Sequence, residues 1–498
     1  MHFLINCNRF IQDLNVAVVT IIVLIGTISI KWMSRKHATH FVVVGRKTSK
    51  LPFAAQINWY RNGSALIHDA YKKFRDEVVQ LPATDRQSII LPLRYLIEVS
   101  ALPHSIASVS QATSDFFMGR WTTLHVGIFG RPTLDAIRSQ HISRLSRQLD
   151  VDWRPIAVHP AILSIISQTG MRTIVGPEVC RQSWCLKNST GYARNVFMAA
   201  TILKFTPAFL QPLIFVLTPY IYRIQFYRHR FFKAIAPYIR QRIELHNCYS
   251  DHSLSRPKTE HAHTLDWLIH YSPPDELTPE IIADRLMGVA FGATHTTTNH
   301  ITNCIFDLAA NFEQWAPPLR EEIEQFIGSK KTGITSADLS NMWKLDSFMK
   351  EVQRLHPPGK LSVNRTAIKS FELSTGEKIP SGVHISFPGA FISLDDSQFK
   401  DAKTFDAFRF ERLRKDPNTN QHGLRFTSSY AGSLHFGHGR QICPGRFLGS
   451  ALSKLLIIEI LQHYDMKLEN GKVRPESVLI GDMIIPNTNY KVLFRSRQ

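Results

Sequence analysis

The chain has 498 residues, of which 44% are hydrophobic and 10% aromatic, so it can bury a sizeable core in one large globular unit or in two to three smaller ones. Its six cysteines have irregular spacings that fit neither a disulfide framework nor a zinc site, which favours a reducing cytosolic environment. The net charge of +19 is compatible with an anionic membrane surface or an acidic protein partner. Because the basic residues are scattered and no nucleic-acid motif is present, we expect no nucleic acid partner.

The N-terminal region contains an uncharged run from Leu14 to Ile30, and a basic segment with Lys31 and Arg35 follows it. A membrane-spanning helix needs roughly 20 apolar residues, with a lower limit of about 17, so this run is short but sufficient if Trp32 lies at the interface. A cleaved signal peptide and a buried core helix are the alternatives, but no small-x-small cleavage site precedes the abrupt basic flank. By the positive-inside rule, the basic side is cytosolic. The sequence therefore predicts a short lumenal N-terminus (1–13), a transmembrane signal anchor (14–32), a basic linker (33–57) and a cytosolic globular domain (58–498).

The first half of the globular domain contains one clear helical pattern and two ambiguous segments. Residues 58–74 carry apolar side chains at helical spacing. A basic helix is predicted over 132–149, which includes His141 and Arg144, and a solvated helix face explains its charges as well as a binding role does. Residues 205–239 mix aromatic and basic side chains with four prolines, which break any continuous membrane span. Core packing and contact with a membrane interface explain this last segment about equally well.

A long helix is predicted to begin at Thr278, because a capping hydroxyl is followed by Pro279 and Glu280. Its pattern continues towards Phe312 and contains small residues and threonines at 291–298. Such residues are unfavourable inside a helix, since Gly costs ~1 kcal/mol relative to Ala. The run indicates either a groove in which a ligand approaches the backbone or close packing against another helix.

A later helix brings two opposite charges together. Leu345, Phe348 and Val352 recur at helical spacing and define one apolar face. Glu351 and Arg354 are three residues apart, so the carboxylate and the guanidinium lie on a common side and can interact. Taken alone, this pair carries almost no functional signal.

Glycines and a proline surround Cys443 in the segment from Phe436 to Gly449, and an apolar, helix-like run follows. Glycine permits backbone geometry that other residues avoid, so the segment is predicted to be a tight loop that orients the cysteine. A cysteine near a helix N-terminus and beside arginines should favour the thiolate, which is the form that binds metal. A buried free cysteine in a turn is the alternative.

The spacing Phe-x-x-Gly-x-x-x-Cys-x-Gly resembles the haem-ligand loop of the cytochromes P450, the haem-thiolate monooxygenases. The small-residue run of the long helix, the helix with Glu351 and Arg354, and the segment around Arg409 are similar to three further motifs of that family, in the family's order. The resemblance implies a fold that is mainly α with small β-sheets (α+β), and makes 58–498 a haem-thiolate catalytic domain. It also implies haem b as cofactor, with the Cys443 thiolate as the axial iron ligand, and NADPH as an indirect electron source through a reductase.

The resemblance also implies roles for individual residues. Thr296 is the hydroxyl of the oxygen-binding site, and His295 occupies the position where the family usually has an acid of the proton relay. Glu351, Arg354 and Arg409 form a buried structural network. The residues expected to contact the haem are Arg365, Phe436, Gly437, Gln441, Arg144 and His141, and those expected to line the substrate pocket are Phe291, Ala293, Leu361 and Val363.

The expected function is oxidation of a hydrophobic small molecule, and family members with this motif spelling suggest a fungal terpenoid, indole or polyketide intermediate of secondary metabolism. The expected partners are NADPH–cytochrome P450 reductase, whose acidic surface suits a basic protein, and the endoplasmic reticulum membrane. Because His295 replaces the usual acid, an alternative hypothesis is a haem-thiolate rearrangement or dehydration enzyme that needs no reductase. The retained Thr296 argues against this alternative. A non-enzymatic haem-binding membrane protein is the third hypothesis.

Overall fold

Helices dominate the structure, a computed structural model that describes residues 41–44, 52–82, 87–122, 152–206, 210–250, 263–328, 334–419, 423–469, 471 and 473–497. The helices are α1 (Pro52–Lys73), α2 (Leu96–Ala101), α3 (Val109–Phe116), α4 (Gly119–Thr122), α5 (Val158–Val175), α6 (Pro177–Cys180), α7 (Ser183–Phe205), α8 (Gln211–Leu217), α9 (Pro219–Ser250), α10 (Thr264–Tyr271), α11 (Pro279–Ala310), α12 (Phe312–Ile327), α13 (Ser336–Asn341), α14 (Trp343–Leu355), α15 (Gly389–Ile392), α16 (Arg409–Lys415) and α17 (Arg446–His463).

The strands are short and form four small sheets within the described part of the chain. They are β1 (Val42–Val43), β2 (Val79–Leu81), β3 (Ser88–Ile90), β4 (Ala107–Ser108), β5 (Arg154–Ala157), β6 (Ser362–Ala367), β7 (Phe371–Glu372), β8 (Lys378–Ile379), β9 (His384–Phe387), β10 (Tyr464–Leu468), β11 (Val478–Ile480), β12 (Met483–Ile485) and β13 (Lys491–Ser496). The largest sheet has the order β1-β2-β3-β9-β6-β4, a second has β10-β13-β5, and two hairpins pair β11 with β12 and β7 with β8. The mainly helical architecture with small sheets agrees with the expected α+β fold class.

Helix α11 passes through the centre of the molecule and contributes to the two largest hydrophobic clusters. Ile301 and Phe306 belong to the cluster shared with α14, α17 and the sheet of β10 and β13. Ile282 and Phe291 belong to the cluster shared with α7 and α9. Because its two ends are fixed in different parts of the core, the middle of α11 is held rigidly across the interior.

The predicted start of α11 is confirmed, because the Thr278 hydroxyl accepts a hydrogen bond of 3.3 Å from the Ile281 backbone N–H. The helix predicted over 58–74 is also confirmed as α1, which begins earlier, at Pro52. The proline-containing stretch 205–239 is divided among α7, α8 and α9, and Pro237 lies inside the 32-residue helix α9 without ending it. Packing of α9 against α7 and α11 outweighs the lost backbone hydrogen bond there.

No helix within the described ranges has the length and apolar character that a membrane crossing requires. Residues 14–32, for which a transmembrane anchor is expected, lie outside those ranges, as do 1–13 and most of 33–57. The basic helix expected over 132–149, with His141 and Arg144, also lies outside them.

Candidate active site

The Cys443 loop is a tight turn fixed by its own backbone. Gly437 and Gly439 adopt φ values of +78° and +69°, which favour glycine. A Cβ on Gly439 would lie 2.5 Å from Cβ of Ser100, so only glycine fits against that neighbour. The Cys443 N–H donates a 2.7 Å hydrogen bond to the Phe436 carbonyl and closes the turn. The loop therefore holds the cysteine just before the first turn of α17.

The environment of the Cys443 thiol combines opposing effects. Burial raises its pKa above the ordinary value, while N–H groups of Gly445 and Arg446 and the charge of the Arg446 guanidinium lower it. The prediction that these surroundings favour the thiolate is therefore wrong in net direction, because desolvation outweighs the helix terminus and the arginine. A metal ion that binds the sulfur would supply the missing stabilisation of the thiolate.

The small-residue run of α11 opens onto space. A Cβ added to Gly292 would meet no heavy atom within 4 Å, so this face is not packed against another helix. Thr296, one turn later, is exposed, and its hydroxyl donates a 2.8 Å hydrogen bond to the Gly292 carbonyl. The groove interpretation is thereby favoured over close helix–helix packing. The next residue, Thr297, faces α17, because its Oγ1 lies 3.7 Å from where a Cβ of Gly449 would be.

His295 flanks this groove rather than lying in it. Successive residues of an α-helix are rotated by about 100°, and the His295 ring packs 5.0 Å from Phe197 and 6.2 Å from Phe291, centroid to centroid. Burial lowers the pKa of His295 to about 4, so the ring is neutral at pH 7. Its Nε2 is buried without a hydrogen-bond partner in the described part of the chain. The proposed role of His295 in proton transfer stays a prediction.

Arg365 is a buried cation on β6 that lacks a carboxylate partner among the described residues. Arg365 is 1% exposed, and among the described residues its guanidinium donates only to the carbonyls of Asn364 (2.9 Å) and His438 (3.3 Å), while its Nε has no partner there. Burial lowers its pKa to about 10, because the charge is desolvated without compensation. An anionic group beside Arg365, such as a carboxylate of a bound cofactor, would remove this deficit.

Gln441 is already committed to the protein backbone. Its amide nitrogen donates to the carbonyls of Ala107 (2.8 Å) and Leu102 (3.3 Å), and its amide oxygen accepts from the Val109 N–H (2.9 Å). Both donor hydrogens are thus used, so the side chain has no donor left for the cofactor contact expected from the sequence. These partners are more than 330 positions away in the chain, and no sequence signal identifies them.

The charge network behind the loop forms as the spacing predicts. Arg354 donates two hydrogen bonds to the Glu351 carboxylate, at 2.8 and 2.7 Å, and Arg409 donates a third at 3.2 Å. Glu351 and Arg354 are 0% and 1% exposed. Arg354 also donates to the Ser393 carbonyl at 2.8 Å, which ties α14 to the segment after α15. The network is structural, since its members bond to one another and to backbone.

An aromatic wall includes Phe291, which precedes Gly292 on α11, and sequence reasoning identified only this member of it. Phe117 packs edge-on against Phe291 (4.8 Å) and Phe197 (5.2 Å), while Phe197 and Phe291 stack at 5.2 Å. Ala293 lies on α11, two residues after Phe291, and is half-buried. The other two expected pocket residues are in the core, Leu361 with α1 and Val363, at φ +55°, with β3 and β9. Whether Phe291, Ala293, Leu361 and Val363 line the pocket stays a prediction.

Comparison with known proteins matches this arrangement. The family model described as Cytochrome P450 covers residues 185–494. The chain belongs to the cytochrome P450 family. It is 31% identical to cytochrome P450 monooxygenase AtmP of Aspergillus flavus, over 88% of this chain and 86% of that protein, and 30% identical to cytochrome P450 monooxygenase penP of Penicillium crustosum, over 87% and 85%. The solved structure of retinoic acid bound cyanobacterial CYP120A1 has a TM-score of 0.62 at 15% identity, covering 92% of this chain and 99% of that one, which shows the shared fold.

This P450 is thus a haem-thiolate monooxygenase of the fungal secondary-metabolism type, and its cofactor is haem with an axial cysteine thiolate. Two observations fit that cofactor to the residues present. The Cys443 loop presents one sulfur among N–H donors, and the buried Arg365 lacks an anion that a haem propionate would supply. The expected P450 fold is confirmed.

Proposed function

We propose that this P450 oxidises a hydrophobic small molecule, a terpenoid, indole or polyketide intermediate, with Cys443 as the axial haem ligand and Arg365 as the residue that pairs with a propionate. When bound, the haem supplies dioxygen activation and transfer of one oxygen atom to a C–H bond. Two observations carry the proposal: a glycine-shaped loop presents one cysteine, and α11 has an open face at Gly292 and Thr296.

Residues of the chain bind the substrate and deliver protons. The aromatic wall of Phe117, Phe197 and Phe291 excludes water and holds an apolar substrate by contact with its face. The Thr296 hydroxyl donates its hydrogen to the Gly292 carbonyl. Its oxygen lone pairs therefore remain free to accept a hydrogen bond from a group in the groove. In this proposal protons reach the groove through Thr296 and solvent, and any part that His295 plays is as a neutral imidazole, since its pKa is about 4.

The partner proposed for electron supply is NADPH–cytochrome P450 reductase, because the net charge of +19 favours docking to an acidic surface. The proposed location is the endoplasmic reticulum membrane, with the anchor at 14–32 and a cytosolic catalytic domain. Large apolar side chains of α8 and α9 support it, since Leu213, Leu217, Tyr222 and Phe226 are each more than half exposed. An anchored protein can lay this patch on the bilayer surface.

The haem ligation is tested first. Wild type, Cys443→Ser and Cys304→Ser are expressed in microsomes, and Cys304, a buried cysteine on α11, is the matched control. We expect a thiolate-type band in the reduced carbon monoxide difference spectrum of wild type and of Cys304→Ser, and its loss in Cys443→Ser. A band that survives in Cys443→Ser would reject the ligand assignment.

The reaction class is tested by adding the reductase, NADPH and candidate intermediates, and reading the products by mass. Oxygenated product that requires all of them, together with dioxygen, supports the monooxygenase. Turnover without reductase or dioxygen would instead indicate the rearrangement or dehydration enzyme.

A further inference from the structure

The Gln441 side chain joins the Cys443 loop to a segment that is remote in sequence. All three of its hydrogen bonds go to backbone atoms of residues 102–109, at 2.8, 2.9 and 3.3 Å. The adjacent Gly439 lies against Ser100, where a Cβ would be 2.5 Å from the Ser100 side chain. The loop and the segment are therefore in direct contact, and Gln441 supplies the polar part of that contact.

The segment held by Gln441 leads directly into α3. Val109, whose N–H donates to the Gln441 oxygen, is the first residue of this helix, and the Ser108 hydroxyl caps it by accepting from the Gln111 N–H at 3.1 Å. The other end of α3 is tied to β6, because the Thr366 hydroxyl donates to the Asp115 carboxylate at 3.0 Å. Helix α3 is thus fixed at one end by the Cys443 loop and at the other by the strand that carries Arg365.

The fixed helix presents the aromatic wall. Phe117 immediately follows α3, and its ring contacts Phe291 of α11 and Phe197 of α7. Because Asp115 stays tied to β6, a displacement of the first turn of α3 would tilt the helix about Asp115 and so shift Phe117, two residues further on, relative to α11. The path from Gln441 to Phe117 is short, since α3 has only eight residues.

We propose that Gln441 is a positioning residue that fixes the position of the Phe117 ring relative to the Cys443 loop. The position of this ring in turn determines how well the substrate fits. This inference rests on the proposed function only in that the wall at Phe117 is the substrate wall. Two consequences follow. Loss of the Gln441 amide leaves the Val109 N–H and the carbonyls of Leu102 and Ala107 without their partner, which opens α3 at its start. The sulfur of Cys443 stays in place, because its turn is closed by the bond to the Phe436 carbonyl.

The test compares wild type with Gln441→Ala and Gln441→Glu. The glutamate variant keeps the size of the side chain and the acceptor for Val109, but removes the two donors. The matched control is Glu322→Ala, since Glu322 makes a comparable clamp elsewhere by accepting from the N–H groups of Lys344 and Leu345 at the start of α14. Two readouts are taken: amide hydrogen exchange along the chain, and binding of imidazole and of 4-phenylimidazole followed by the shift of the haem absorption band.

In both Gln441 variants we expect faster exchange confined to residues 102–117 and unchanged exchange at residues 443–463. We expect 4-phenylimidazole, whose phenyl ring reaches the wall, to bind roughly tenfold more weakly, and imidazole alone to bind as in wild type. Glu322→Ala should change neither the exchange of 102–117 nor the ratio of the two affinities. Unchanged exchange at 102–117, or equal weakening of both probes, would overturn the proposal. The exchange result stands whether or not the chain oxidises any substrate, whereas absence of a haem-thiolate spectrum in wild type would refute the proposed function alone.

Discussion

At the scale of single residues, Glu351 is the acceptor on which two buried arginines depend. It is 0% exposed, and Arg354 and Arg409 both donate to its carboxylate. Glu351→Gln keeps the shape but removes the charge, so two buried guanidinium groups lose their counterion, at a cost of about 3–5 kcal/mol. We expect a corresponding fall in the free energy of unfolding, measured by urea titration, and poor haem retention. Glu372→Gln, an exposed carboxylate on β7, is the control and should behave as wild type.

Thr296 and Thr298 provide a matched pair on opposite sides of α11. Both hydroxyls donate to the carbonyl four residues earlier at 2.8 Å, but Thr296 is exposed to the groove and Thr298 is fully buried. Thr296→Val should reduce oxygenated product per NADPH consumed by on the order of 10²-fold, because a proton-handling hydroxyl is lost from the groove. Product and NADPH are measured in the same reaction. Equal coupling in Thr296→Val and Thr298→Val would remove Thr296 from the mechanism.

At the scale of elements, α11 keeps a helical backbone through a segment that lowers its stability. Gly292 has room for a Cβ, and alanine is favoured over glycine inside a helix by about 1 kcal/mol. We therefore expect Gly292→Ala to raise the free energy of unfolding while weakening binding of 4-phenylimidazole, since the methyl group enters the groove. Gly170→Ala on α5 is the control, because its Cβ also meets nothing within 4 Å and it belongs to a different helix. It should stabilise the protein without changing ligand binding.

At the scale of the whole molecule, buried histidines link stability to pH. Burial lowers the pKa of His295 and His300 to about 4 and that of His435 to about 3. In the unfolded chain these rings titrate near 6.5, so below that pH the unfolded state binds more protons than the folded state. Stability must then fall as the pH decreases from about 6.5 to 4, by up to about 1.4 kcal/mol per pH unit for each ring.

His435→Leu tests this linkage, since both ring nitrogens of His435 are buried and have no partner among the residues that the structure describes. We expect the dependence of the free energy of unfolding on pH, measured by urea titration between pH 7.5 and 5, to become shallower below about pH 6.5, by up to about 1.4 kcal/mol per pH unit. His229→Gln, which alters an exposed histidine on α9, should keep the wild-type slope. Parallel profiles for wild type and His435→Leu would show that His435 is protonated in the folded state.

The sequence by itself determined the features that depend on neighbours in the chain. The start of α11 follows from Thr278 and Pro279, the pairing of Glu351 with Arg354 follows from a spacing of three, and the turn at Cys443 follows from its glycines. Caps, helix periodicity and glycine geometry act over a few residues, so they can be read locally. The order of these motifs along the chain also indicated the protein family and its haem-thiolate chemistry.

Only the tertiary structure decided the features that depend on contacts between distant elements. The partners of Gln441 lie at residues 102–109, and the His295 ring packs against Phe197. Arg365 is buried with no carboxylate partner among the described residues. The tertiary structure also reversed the expected pKa direction of Cys443. The physical reason is that burial and hydrogen-bond pairing of a polar side chain are set by the elements packed around it, and these come from positions hundreds of residues apart.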